Sequence, residues 1–253
     1  MWTMIVFTLF YLIFGGAILL IYRRLSLRSV RAEMAAIERI SSFITQGEGE
    51  VMIIGRGIAK MSFVRCLVFV ADRTAEDAVE TMQIILRYYH IESYILKRIE
   101  GSSSREKAYY LALLARLPIS KVVAGKVSKY MKNSSSDVRF YALLCMLAAV
   151  PELAVKYISE LDERLSRRDI AEMLSVIGRG YCPIPYTPLL LSNNYNMQLL
   201  GIAMVRRFGI YESCKDLMHL VEYGEPELRM DALEALAYMS ADCSDDSCSG
   251  YVV

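Results

Sequence analysis

The side chains that could do chemistry are few and scattered. The two histidines, His90 and His219, fall in separate helical patterns. A general acid–base pair needs its members within hydrogen-bond reach, and nothing in the spacing brings these two together. Each reads as an ordinary helix residue. The six cysteines are Cys66, Cys145, Cys182, Cys214, Cys243 and Cys248, and their spacing matches neither a zinc site nor a disulfide framework. Cys66 and Cys145 sit inside apolar helical pattern, where a reduced thiol behaves as a small hydrophobe. The thiols are therefore expected to be reduced and the domain intracellular. Gly55-Arg56-Gly57 is a lone G-x-G without a strand–turn–helix around it, and a helix flank accounts for it better than a phosphate cradle. These residues predict no catalytic set, no metal and no cofactor: a protein that binds rather than reacts.

Charge points to binding of a limited kind. Lys plus Arg is 29 against Asp plus Glu 28, so no general positive field draws in nucleic acid. One local row is basic: Lys121, Lys126, Lys129 and Lys132, a candidate patch for an anion or an acidic partner. Arg167-Arg168 and Arg206-Arg207 add positive charge elsewhere. Tyrosines number 17 against 8 phenylalanines, an excess that favours half-exposed contacts, since Tyr joins an apolar body to a polar tip. Tyr109, Tyr110, Tyr157 and Tyr223 are the candidates for such contacts.

Residues 2–22, WTMIVFTLFYLIFGGAILLIY, carry no charge and are long enough to cross a bilayer, which takes about 20 apolar residues. Trp2 and Tyr22 stand at the ends, as interfacial aromatic rings do. Arg23, Arg24, Arg28 and Arg31 follow, and no Lys or Arg precedes. The positive flank predicts an uncleaved single span with its N-terminus outside and the rest of the chain in the cytoplasm. A cleaved signal peptide would carry its charge on the other side.

After the span, helical periodicity dominates. Leu27, Val30, Met34, Ile37, Ile40 and Ile44 give one amphipathic stretch over 25–45, ended by Gly47 and Gly49. Residues 51–70 read as one buried helix, 75–89 and 90–99 as two more. From there the pattern repeats at about 30 residues. Lys107, Arg139, Asp169, Gln198 and Arg229 hold equivalent places, backed by two apolar columns. One column is Leu111, Leu143, Met173, Ile202 and Leu233; the other is Leu114, Met146, Val176, Val205 and Leu236. An i, i+3 seam repeated at a fixed period is the mark of a repeat architecture. Second helices are expected at 119–131, 152–165, 187–191 and 211–223. Pro118, Pro151 and Pro226 stand at helix starts, where Pro is tolerated at the first position, and Ser103 with Glu106 fits a capping box. Three prolines in 180–188 predict an irregular connection, and the small, acidic stretch 241–253 reads as disordered.

The opening Asp137-Val138-Arg139 with Ala142, Leu143 and Leu144 resembles the HEAT-repeat (HEAT-like, armadillo-type) family, and Glu227-Leu228-Arg229 with Ala232, Leu233 and Leu236 is similar. The resemblance implies an all-α fold, a right-handed α-α superhelix of antiparallel helix pairs. It implies that Asp137, Arg139 and Arg229 join a polar ladder between repeats, and that second helices line a concave binding face. The expected organisation is a transmembrane anchor at 1–24, a linker helix and solenoid cap at 25–74, repeats at 75–240 and a tail at 241–253. The expected function is a non-catalytic membrane-anchored scaffold. It would dock a protein partner, a membrane enzyme or transporter among the candidates, through Lys121, Lys126, Lys129, Lys132, Tyr157 and Tyr223. No nucleic acid is expected, and no oligomeric state follows from the residues. The same resemblance leaves two alternatives: a nucleic-acid-binding HEAT-like solenoid, and a HEAT-like lyase that attaches tetrapyrroles to cysteine.

Overall fold

Every described element is a helix, because the apolar residues recur at helical rather than strand spacing and the prolines within described helices stand in their first turns. The computed structural model describes residues 26–45, 51–74, 78–161, 163–179 and 184–242, and among them there is no strand. The predicted span at 2–22 lies outside the described residues. Among those described, no helix is long and apolar enough to cross a membrane. The chain divides into two compact units between Ile91 and Glu92.

The first unit contains α1 (26–45), α2 (Val51–Ile54), α3 (Lys60–Ala71) and α4 (Val79–Tyr88). The single helix expected over 51–70 is broken. Gly57 adopts φ +78°, a left-handed value that glycine takes at no steric cost, and the chain turns there before α3 begins. Gly55 answers a different need. Its backbone N–H donates to the Tyr89 hydroxyl (2.8 Å), and that hydroxyl donates to the Val51 carbonyl (2.7 Å). A Cβ on Gly55 would lie 2.8 Å from the Tyr89 ring. The G-x-G is thus a turn fitted under a tyrosine. The core is built from Ala36 and Ile40 of α1, Phe63, Val64 and Leu67 of α3, and Met82, Ile85 and Leu86 of α4. Of the expected α1 seam, Ile40 is buried, Ile37 and Ile44 are half-buried, and Leu27, Val30 and Met34 are exposed. The Cys66 thiol donates to the Glu33 carbonyl across α1 and α3. Burial, and then the Glu33 carboxylate, push this thiol above its ordinary value.

The second unit runs through α5 (Ile91–Glu100), α6 (Ser104–Ala115), α7 (Lys121–Val127), α8 (Ser136–Ala149), α9 (Pro151–Ser159), α10 (Arg167–Ile177), α11 (Thr187–Leu190), α12 (Tyr195–Phe208), α13 (Cys214–Tyr223) and α14 (Pro226–Asp242). Five of these, α6, α8, α10, α12 and α14, touch one another in that order. They are the five helices of the sequence repeat. Their two apolar columns are buried in α6, α8, α10 and α12. In α14 the pattern changes. Leu228, Ala232, Ala235 and Met239 are buried, whereas Leu233 is 46% exposed and Leu236 half-buried. The buried set matches Val138, Ala142, Cys145 and Ala149 of α8, all buried. An interior helix buries both columns between two neighbours; α14 is the last described helix and buries only the faces turned to α12 and α13.

Local signals set the helix ends. The Ser103–Glu106 capping box forms as expected, and a second, Ser166–Asp169, opens α10. Pro151 takes the first position of α9 and Pro226 that of α14. Pro118 does not begin a helix: α7 starts at Lys121, capped by Ser120, whose backbone N–H donates to Glu92 at 2.7 Å. The second helices are shorter than expected. α9 stops at Ser159, and the segments before α13 and after α7 wind as 3₁₀ turns. The irregular connection ends in α11, which holds Leu189 and Leu190 against Gly201 of α12. A Cβ there would lie 3.0 Å from the Leu190 nitrogen. Helix α14 continues through Asp242 and so takes in the first two residues of the expected tail.

Candidate binding site

A cleft of about 370 Å³ opens along α12, with α10 and α14 as its walls. Its floor is apolar: Ile170 and Leu174 from α10, Leu199, Ile202 and Ala203 from α12. These positions repeat at i, i+3 and i+4, the spacing that puts residues on one helix face. The rim is charged. Arg167 of α10 reaches across to Asp231 of α14 at 2.8 Å, and Arg206 of α12 pairs with Glu234 of α14 at 3.0 Å. The Asp231 carboxylate is only 15% exposed, so the Arg167 guanidinium is what keeps this charge compensated. Arg206 also lies 5.9 Å from the Tyr238 ring centre. Arg207 lines the same cleft and has no carboxylate partner among the described residues.

The polar groups that fix these helices cluster at the starts of α10, α12 and α14. Arg164 pairs with Glu225 at 2.7 Å and Glu227 at 3.2 Å, and its guanidinium stacks 4.2 Å from the Tyr195 ring. The Tyr195 hydroxyl donates to Glu227 at 2.9 Å. Burial, and then this hydrogen bond to a carboxylate, raise the phenol above its ordinary value. Asn196 is buried and clamps the α9–α10 loop: its amide donates to the Glu163 carbonyl, and its oxygen accepts from the Leu165 N–H at 2.8 Å. Asn194 caps α12 through the Met197 N–H and donates to the Ser159 carbonyl. The lining of the cleft includes no Ser, Cys or His. What it offers is an apolar trough whose rim carries two ion pairs and one further guanidinium, that of Arg207.

The residues expected from sequence to form a site are placed as follows. Lys129 and Lys132 lie in the 3₁₀ turn after α7, where i and i+3 side chains eclipse, so these two share a side. Lys121 and Lys126 are both exposed on α7, but five α-helical residues turn the chain by about 140°, which separates them. Lys129 also pairs with Glu100 at 3.5 Å. Tyr157 is half-buried on α9; Tyr223 is 71% exposed at the end of α13, its ring beside His219. Of the expected ladder, Arg139 joins neighbouring elements by pairing with Glu163 at 3.5 Å, and it also donates to the Asn133 and Ser134 carbonyls. Arg229 donates to the Gly224 carbonyl at 2.6 Å. Both arginines therefore secure the carbonyls just ahead of their own helices. Asp137 is exposed in the first turn of α8, where it suits the helix dipole, and makes no ion pair among the described residues. The cleft itself escaped the sequence reading. Its only signal there was the pair of Arg-Arg dipeptides at 167–168 and 206–207, one helix apart in the repeat.

No protein-family model and no curated protein matches the chain. One similar solved structure is a crystal structure of an engineered protein, at 12% identity and TM-score 0.35, covering 81% of this chain and 96% of that one. At that TM-score the likeness carries no inference about fold or function.

Proposed function

We propose that the chain is a single-span membrane-anchored scaffold. In this reading its helix pairs stack as a HEAT-like right-handed solenoid, and it docks a protein partner at the cytoplasmic membrane face without catalysing a reaction. The observation that carries the reading is the ordered contact of α6, α8, α10, α12 and α14. Helix pairs with a common seam bury what each cannot bury alone, and stacked pairs leave an extended face for binding. The apolar residues 2–22 with the arginines that follow support the anchor and its orientation. The tether would hold the binding face near the bilayer and raise its effective concentration toward a membrane-resident partner. The exposed Lys129–Lys132 pair, with Lys121 and Lys126 nearby in sequence, favours a partner surface rich in carboxylates.

The test uses the intact protein in membranes. Carbonate extraction should leave it in the pellet, and protease added to sealed right-side-out vesicles should leave 25–253 intact. Crosslinking should then capture a membrane-associated protein, and reversing Lys121, Lys126, Lys129 and Lys132 to Glu should reduce that capture. Release of the protein by carbonate would overturn the anchor. Capture unchanged by the fourfold reversal would overturn the assigned face.

A further inference from the structure

We propose that the cleft of α10, α12 and α14 is a docking site for an acidic segment that ends in apolar side chains, and that residues 243–253 of this chain occupy it. The inference does not depend on the membrane anchor or on the lysine face. Three observations carry it.

The first is the shape and polarity of the cleft. At about 370 Å³ with a floor of Ile170, Leu174, Leu199 and Ile202, it falls in the size range of specific ligand sites, about 300–1,000 Å³. The second is charge. Arg206 and Arg207 stand together at the end of α12, and Arg207 has no carboxylate partner among the described residues. Residues 243–253 contain Asp245 and Asp246, then Tyr251, Val252 and Val253, and no Lys or Arg. Carboxylates come first and apolar groups second, which is the order in which a returning chain would meet the rim and then the floor. Arg–carboxylate pairing is bidentate and oriented, so the match has geometric content beyond net charge.

The third observation is reach. Helix α14 carries Asp231, Glu234 and Tyr238 on the cleft wall and leaves it one turn later at Asp242. That turn is about 6 Å long at 1.5 Å per residue. Three or four extended residues cover about 10–14 Å, enough to turn back and bring Asp245 and Asp246 level with Arg206 and Arg207. Nine residues cover up to about 30 Å, which takes Tyr251 and Val252 along the floor. Tyr238, beside the arginines, stands where the returning chain would cross.

Native Cys248 lies between the two aspartates and Tyr251 and reports the docking directly. In the full chain carrying Cys243→Ser, Ala203→Cys puts a thiol on the cleft floor. Leu233→Cys puts one at the level of Glu234 on α14, turned away from the cleft. Under mild oxidation, with pairs mapped by mass spectrometry, the thiol at 203 should link to Cys248 about tenfold faster than the thiol at 233, the gain expected when docking adds to tethering. The rate should not depend on protein concentration. Arg206→Glu with Arg207→Glu should remove the advantage, and so should Asp245→Asn with Asp246→Asn, which leaves the folded helices untouched. Equal rates at 203 and 233 would overturn the proposal, as would an advantage that survives neutralising the two aspartates. A rate that rises with protein concentration would assign the cleft to a segment of another molecule and overturn the intramolecular occupant.

Discussion

Leu143 and Leu233 hold the same column of the repeat, one in α8 and one in α14, yet their surroundings differ. Leu143 is 2% exposed and Leu233 46% exposed. Truncating Leu143 to Ala removes its transfer free energy and leaves a cavity between α6, α8 and α10, a loss of about 2–5 kcal/mol for a fully buried leucine. Truncating Leu233 removes about half a transfer term and leaves no enclosed cavity, so the loss is about 1 kcal/mol or less. The expected gap of about 2–3 kcal/mol corresponds to roughly two decades in the folding constant. Urea unfolding of the intact chain in mild detergent, followed by far-UV circular dichroism, would read it as a shift in midpoint at constant m. Repeat arrays can lose their ends locally, so hydrogen exchange should accompany the titration. Leu143→Ala should speed exchange across α6, α8 and α10, and Leu233→Ala only in α14. Equal losses at the two sites would refute the reasoning, because they would mean that the outer face of α14 is as enclosed as the interior of the stack.

Three further outcomes are expected. Tyr89→Phe removes the hydroxyl that serves both Val51 and Gly55, so the first unit should lose about 1–3 kcal/mol. Gly55→Ala should lose at least as much through contact with the Tyr89 ring, and hydrogen exchange in α2 and α4 reports both. Gly201→Ala should destabilise although Ala is the better helix former by about 1 kcal/mol, because the new methyl meets the Leu190 backbone; a higher melting temperature would contradict the close α11–α12 approach. The Ser103 hydroxyl, then its backbone N–H, hold the Glu106 carboxyl below its ordinary value. A carboxylate with a depressed folded pKa contributes stability above its unfolded pKa and loses it as pH falls through the folded one. The first turn of α6 should therefore begin to fray below the ordinary carboxylate range, by amide exchange, and Glu106→Gln should abolish that pH dependence.

The parts of this chain that could be read from sequence are those set by near neighbours. The Ser103 capping box, the Pro151 and Pro226 helix starts and the apolar columns of α6 to α12 depend on residues within about one turn of each other, and the structure has them where the spacing puts them. The failures are all tertiary. Residues 51–70 are apolar enough for one helix, but Gly57 takes a left-handed turn and Gly55 passes beneath a tyrosine 34 positions away. Leu233 matched its column but had no neighbour to bury it.

The cleft shows why a repeat sequence conceals its sites. Each helix of the repeat must bury the same seam, so the seam dominates any overlay of the units. What differs between units falls on the faces that no neighbour needs, and there the spacing within one helix says little. Arg167 and Asp231 are separated by 64 positions and by the whole of α12, yet they meet at 2.8 Å. Arg206 and Glu234 are 28 apart and do the same across one interface. Either arginine alone looks like a solvated side chain. Only when α10, α12 and α14 are set side by side do three guanidinium groups converge over one apolar floor while two carboxylates answer them. The guanidinium at Arg207 is left over, and a surplus cation beside an apolar trough is a reason to look for an acidic ligand there before looking along the lysines.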